Sequence, residues 1–109
     1  MNGLSTHILD VSRGLPAAGV AVRLEQSVED AWRETAQAIT DADGRARLRE
    51  GDLEAGTYRL SFEVAAYFEA MDTPAFYPLV QVTFTVRDAR HHHVPLLLSP
   101  FGFSTYRGS

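Results

Sequence analysis

The stretch Thr57–Val64, TYRLSFEV, alternates polar and apolar side chains with a period of two, and this pattern decides the fold class. The same alternation recurs at residues 20–25 (VAVRLE) and 80–87 (VQVTFTVR). Successive side chains of a β-strand point to opposite faces, so each stretch predicts a strand with one face in a core. The sequence therefore predicts an all-β fold.

Further strands are predicted at residues 5–10, 32–39, 45–49 and 91–98 and at the C-terminus. Asp41–Gly44 (DADG) is typical of a turn between two strands. Residues 65–71 (AAYFEAM) break the alternation with good helix formers and predict one short helix. About eight short strands with regularly spaced turns indicate a single domain, residues 1–109, built as a two-sheet β-sandwich.

The composition excludes several classes of function. Fourteen acidic and ten basic residues give the 109-residue chain a formal charge of -4, the reverse of the balance in nucleic-acid or anionic-membrane binders. There is no cysteine, which excludes thiol nucleophiles, and no lysine, which excludes Schiff-base chemistry. No apolar stretch approaches the roughly 18 residues of a membrane span, and residues 1–10 lack a signal-peptide pattern. A soluble, cytoplasmic protein is expected.

Four histidines, His7 and His91–His93, are the candidate chemical groups. Alternation places His91 and His93 on one face of their strand and His92 on the opposite face. The face of His92 continues with apolar residues and is predicted to lie in the sandwich interior: Val94, Leu96 and Leu98. His91 and His93 should therefore point outward.

Three interpretations of these histidines compete. They form an exposed polar strand end without a role, or they bind a metal such as zinc, or they act as acid–base catalysts near neutral pH. His7 shares its strand face with Ser5 and Leu9, which places a third outward imidazole in the first strand.

Four motifs carry a resemblance to a known family. In chain order they are Leu4–Asp10 (LSTHILD), Asp43–Arg45 (DGR), His91–Pro100 (HHHVPLLLSP) and Tyr106–Ser109 (YRGS), with shorter matches at residues 56–59 and 66–68. At this spacing they resemble the 5-hydroxyisourate hydrolases, the transthyretin-related enzymes of urate breakdown. The closing YRGS is the tetrapeptide that separates these hydrolases from the hormone carrier transthyretin.

The resemblance implies a transthyretin-like fold and an enzyme that hydrolyses the N1–C6 ring amide of 5-hydroxyisourate. The product would be 2-oxo-4-hydroxy-4-carboxy-5-ureidoimidazoline, formed with no metal or organic cofactor. The catalytic residues implied are His7, Arg45, His93 and Ser109. The substrate-binding residues implied are His7, Arg45, Tyr106, Arg107 and Gly108. Either His7 or His93 would be the general base.

One position departs from the family. The family usually has His-Tyr-His where this chain has His91, His92 and His93. Since His92 is predicted to face the interior, the catalytic residues should be unaffected by the change. Two other functions stay open: a non-enzymatic transthyretin-like carrier of a hydrophobic ligand, and a zinc-binding or structural protein built on the histidines.

A homotetramer with sites shared between subunits is also expected, as the resemblance implies. An open sheet face offers no enclosed slot for a flat ring, and Pro95 and Leu97 would add apolar surface beside His93. A twofold axis would bring two such faces together into a channel.

Overall fold

The structure, a computed structural model, describes residues 3–109, which form nine strands and one helix. In chain order these are β1 (Leu4–Asp10), β2 (Leu15–Pro16), β3 (Ala21–Val28), β4 (Ala31–Ile39), β5 (Arg45–Arg49), β6 (Gly56–Phe62), α1 (Val64–Glu69), β7 (Val80–Val86), β8 (His92–Ser99) and β9 (Gly102–Thr105). The strands form two sheets, which confirms the predicted β-sandwich with one short helix.

The first sheet is organised around β1. On one side β1 pairs in parallel with β8 along its whole length, and β8 pairs with β9. On the other side the first half of β1 pairs antiparallel with β5, and its last two residues pair with β2. The β1 strand is thus held along both edges.

The second sheet has the order β4-β3-β6-β7, and all its neighbouring strands are antiparallel. The two sheets bury their apolar faces against each other. The largest fully buried side chains include Ile8 of β1, Leu24 of β3, Phe62 of β6 and Leu96 of β8. Burial in β1 and β5 alternates residue by residue, as the period-two pattern predicts.

The chain leaves the second sheet at Phe62, two residues earlier than the alternation of residues 57–64 predicts. Val64 was assigned to that strand, but it is the first residue of α1. Val64 and Phe68 are the buried residues of the helix, so Val64 reaches the core in either conformation. The Tyr67 hydroxyl donates a 2.7 Å hydrogen bond to Oδ2 of the buried Asp10, which ties α1 to the end of β1. Within residues 3–109 no helix is long and apolar enough to cross a membrane.

His92 lies inside the sandwich, as predicted. The side chain is buried, and only 4% of the residue is exposed. It borders a cavity of about 130 Å³ whose apolar lining includes Val82, Phe84 and Val94. Nδ1 of His92 has no hydrogen-bond partner among residues 3–109. A buried polar atom left unpaired costs about 1–3 kcal/mol, so this position is a weak point of the core.

We predict that His92→Tyr raises the free energy of unfolding by about 1 kcal/mol, because it removes the unpaired nitrogen and its ring fills the adjacent cavity. Urea unfolding followed by fluorescence measures the change. Val94→Ala is the matched control on the same inner face, and it should lower stability because it enlarges the same cavity. A lower unfolding midpoint for His92→Tyr would contradict this account of the core.

Candidate functional site

The pairing of β1 gathers polar side chains on the outer face of the first sheet. Within this sheet His7 is the register partner of Arg45 in β5, and Ser5 is the partner of His93 in β8. All four residues alternate with buried neighbours, so their side chains point away from the core. Three segments that are far apart in the chain thereby supply one surface.

The turn before β5 positions Arg45. Oδ1 of Asp41 accepts hydrogen bonds from the backbone N–H groups of Asp43 (2.9 Å) and Arg45 (3.0 Å). The bond from Arg45 is the main reason that the pKa of the Asp41 carboxyl lies below its ordinary value. The predicted turn at Asp41–Gly44 is thus a carboxylate-capped turn that fixes the start of β5.

Gly44 allows this turn to contact β1 directly. Its φ is +74°, and a Cβ at this position would lie 2.5 Å from the carbonyl oxygen of Ile8. The Gly44 carbonyl also accepts a 2.8 Å hydrogen bond from the Ile8 N–H. A larger residue would therefore push the Arg45 strand away from His7.

His93 is held by a hydroxyl group. Oγ of Ser5 lies 2.8 Å from His93 Nδ1 and also 2.8 Å from His91 Nε2, so one hydroxyl bridges two imidazoles. The sequence interpretation placed no role on Ser5 or His91. The available signal was strand alternation, which puts Ser5 beside His7 and His91 beside His93 on outward faces.

Burial and positive charge both act on His93. Burial lowers the pKa of its imidazole below the ordinary value of 6.5, because desolvation disfavours the charged form. Electrostatic repulsion by neighbouring basic groups, namely His7, His91 and Arg45, lowers the pKa further. At neutral pH the ring is therefore uncharged and able to accept a proton.

A shallow, open cavity of about 280 Å³ lies in front of His93. Its lining is mostly polar and consists of Ser5, Thr6, Asp41, Arg45, Ala46, Arg47 and His93. Small-molecule sites are usually concave spaces of roughly 300–1,000 Å³ that enclose most of the ligand. This surface has the polar groups of such a site but only one wall.

The C-terminal segment contacts His93 from the other side. The Gly108 N–H donates a 2.8 Å hydrogen bond to the His93 carbonyl. A Cβ on Gly108 would lie 2.5 Å from His93 Cδ2, so only glycine allows the chain to pack on the imidazole. A larger residue at position 108 would therefore displace either the segment or the imidazole.

The remaining C-terminal residues do not line the open cavity of their own chain. Tyr106, which is 58% exposed, and Arg107 border the inner cavity beside His92. Ser109 lies in another depression, with Arg90 and His91. Of the residues implied by the resemblance, the structure brings together His7, Arg45, His93 and Gly108, while Tyr106, Arg107 and Ser109 lie beyond His93.

One expectation about this surface is wrong. Pro95 was predicted to leave bare apolar surface beside His93, but it is buried within the chain. The C-terminal segment covers it, since the Thr105 hydroxyl donates a 2.7 Å bond to the Pro95 carbonyl and Gly108 passes close to the proline ring. Leu97 is half-buried.

A metal centre is not apparent in the part of the chain that the structure describes. No group of three or more histidine, aspartate or glutamate side chains within residues 3–109 is arranged to hold an ion.

Comparison with known proteins agrees with this architecture. The sequence model of the HIUase/Transthyretin family matches residues 4–108. A 5-hydroxyisourate hydrolase of Caulobacter vibrioides is 49% identical, with 100% of each chain covered. The structure of Klebsiella pneumoniae 5-hydroxyisourate hydrolase superposes with a TM-score of 0.86 at 42% identity, covering 97% of this chain and 98% of that one. Transthyretin from Sparus aurata superposes with a TM-score of 0.92 at 31% identity, covering 99% and 97%. The chain therefore belongs to the HIUase/Transthyretin family.

Proposed function

We propose that this protein hydrolyses 5-hydroxyisourate by opening its N1–C6 ring amide. The observation that carries the proposal is that the partly buried imidazole of His93, whose pKa is lowered by burial, lines the same outer cavity as Arg45. Amide hydrolysis needs a base for water and a positive group for the oxyanion, and this pair supplies both. The hydrolases similar to this chain, at 49% and 42% identity, are nearer to it than the transthyretin at 31%.

His93 is the general base of this proposal. Its Nδ1 is engaged by Ser5, which leaves Nε2 as the ring nitrogen able to take a proton from water. Arg45 offers a planar, permanently charged fork to the carbonyl oxygen as it becomes an oxyanion. His7 binds the substrate from the strand next to Arg45. No metal or organic cofactor is needed for these steps.

The site is proposed to be completed by a second subunit of a homotetramer. The open cavity has one wall, and Tyr106, Arg107 and Ser109 lie outside it in their own chain. Two copies facing each other across a twofold axis would enclose the ring and bring the partner's C-terminal segment towards it.

We further propose that residues 1–109 form one hydrolase domain that acts in the cytoplasm on urate-derived substrate.

The direct test adds the purified protein to freshly generated 5-hydroxyisourate and follows the ultraviolet absorbance against the spontaneous decay. Accelerated loss that scales with protein concentration supports the hydrolase. A transthyretin-like carrier would instead bind the compound in stoichiometric amounts without accelerating its decay, and that result would reject the proposal.

We predict that Arg45→Lys lowers kcat/KM on the order of 100- to 1,000-fold although the charge is retained, because an ammonium group cannot form the planar fork. Arg49→Lys is the matched control, since it lies on the outward face of the same strand but outside the cavity lining. Normal turnover in a folded Arg45→Lys protein would remove Arg45 from the mechanism.

The pH dependence follows from the lowered pKa of His93. The base form is the neutral imidazole, so activity should persist below pH 6.5 and fall only as the pH drops through the lowered pKa. Initial rates from pH 4 to 8, corrected for spontaneous decay, measure this limb, and an NMR titration of His93 should give the same midpoint. A midpoint above 6.5 would show that another group is the base.

An extension appended after Ser109 should reduce kcat/KM by on the order of 10- to 100-fold, because it displaces the segment that packs on His93. The same extension placed before Met1 is the control and should have little effect.

Sedimentation of the untagged protein at assay concentration tests the tetramer, and a fully active monomer would overturn the shared-site proposal.

A further inference from the structure

The Ser5 hydroxyl has one hydrogen and two imidazole neighbours at equal distance. Oγ lies 2.8 Å from both His91 Nε2 and His93 Nδ1. A serine hydroxyl donates one hydrogen bond and accepts others. If the hydroxyl hydrogen points at one of the rings, Ser5 donates to that ring and accepts a hydrogen bond from the other.

Two arrangements place the Ser5 hydroxyl hydrogen between the two rings. In the first, His93 carries its proton on Nδ1 and donates it to Ser5, while Ser5 donates to an unprotonated Nε2 of His91. In the second, the protons point the other way: His91 donates from Nε2, Ser5 donates to Nδ1 of His93, and His93 must carry its proton on Nε2. The proton positions of the two histidines are therefore coupled through one hydroxyl.

The two arrangements differ in catalytic value. His93 can accept a proton from water at Nε2 only in the first arrangement. We propose that Ser5 and His91 form a proton relay with His93, in which neutral His91 holds His93 in its base-competent tautomer. Both are positioning residues, since they act through His93. This inference rests on the proposed function and deepens it.

The relay balances for each turnover. As water attacks the amide carbon, one water proton moves to Nε2 of His93. The Nδ1 proton of His93 passes to Oγ of Ser5, and the hydroxyl proton of Ser5 passes to Nε2 of His91. His91 is then a cation and His93 is neutral again. Reversal of the three transfers returns the proton to the ring nitrogen released when the amide bond breaks.

The charged groups around the relay favour passing a proton between the two imidazoles over holding a proton on both of them. His7, Arg45, Arg47 and Asp41 face His93 from β1, from β5 and from the preceding turn. Arg90, Arg107 and Ser109 lie around His91. Arginines predominate in this set, so two simultaneous imidazolium ions would repel each other and their surroundings. A proton held on Nε2 of His91 would impose the second arrangement, in which Nε2 of His93 already carries a proton and cannot act as the base.

The test measures the His93 tautomer by ¹⁵N NMR of the full-length protein and the kcat of each variant. Wild-type His93 should carry its proton on Nδ1 above the titration midpoint. In Ser5→Ala and in His91→Phe the proton should move to Nε2, and kcat should fall on the order of 100-fold. Ser5→Thr keeps the hydroxyl and should preserve both the His93 tautomer and kcat. His92→Tyr changes the neighbouring histidine and should leave the tautomer and kcat unaffected.

The double variant Ser5→Ala/His91→Phe should be no slower than either single variant, because each change already breaks the same relay. A wild-type His93 protonated on Nε2, or a tautomer unchanged in both single variants, would overturn the relay. The NMR result decides the relay even if the protein does not accelerate 5-hydroxyisourate decay, a result that would reject the proposed function separately. Amide spectra confirm that each variant is folded.

Discussion

The site depends on the backbone pairing of β1 with β5 on one edge and with β8 on the other. This double pairing places residues from three distant segments side by side on one sheet face. A slip of β8 by one residue against β1 would exchange the inner and outer faces of β8. His93 would then enter the core and His92 would reach the surface. Core packing of Ile8 and Leu96 opposes such a slip, so the forces that stabilise the sandwich also align the site.

Glycine completes the alignment at both ends of the site. Gly44 lets the turn approach Ile8, and Gly108 lets the C-terminal segment approach the His93 ring. In each case a Cβ would lie 2.5 Å from another atom, a backbone oxygen at Gly44 and the His93 ring at Gly108, so the backbone or the ring would have to move. Arg45 and His93 are thus placed by neighbours that contribute only backbone. The chemistry of the surface comes from side chains, but their separation is determined by these two close backbone approaches.

The electrostatic character of the site follows from the same geometry. Three strand positions project arginines from β5, and histidines project beside them from β1 and β8. Burial first, and then the nearby His7, His91 and Arg45, lower the pKa of His93, while the arginines favour an anionic substrate or intermediate. The Ser5 bridge adds directionality, because it determines on which nitrogen a neutral imidazole carries its proton. Burial, charge and one hydroxyl together convert an ordinary histidine into a candidate base.

Much of the fold could be predicted from the sequence because side-chain alternation is local. The period of two identified the main strands, the inner position of His92 and the outward position of His93, and Asp41–Gly44 identified the turn before Arg45. The bridge from Ser5 to His91 and His93 could not be predicted, because the two histidines lie 86 and 88 residues after Ser5 in the chain. Only the register between the paired strands brings them together. Pro95 was misplaced for the same reason, because the segment that covers it folds back from the C-terminus. Local sequence determines which way a side chain points, whereas only the tertiary structure decides what it meets, because strand register is determined by the packing of the whole core.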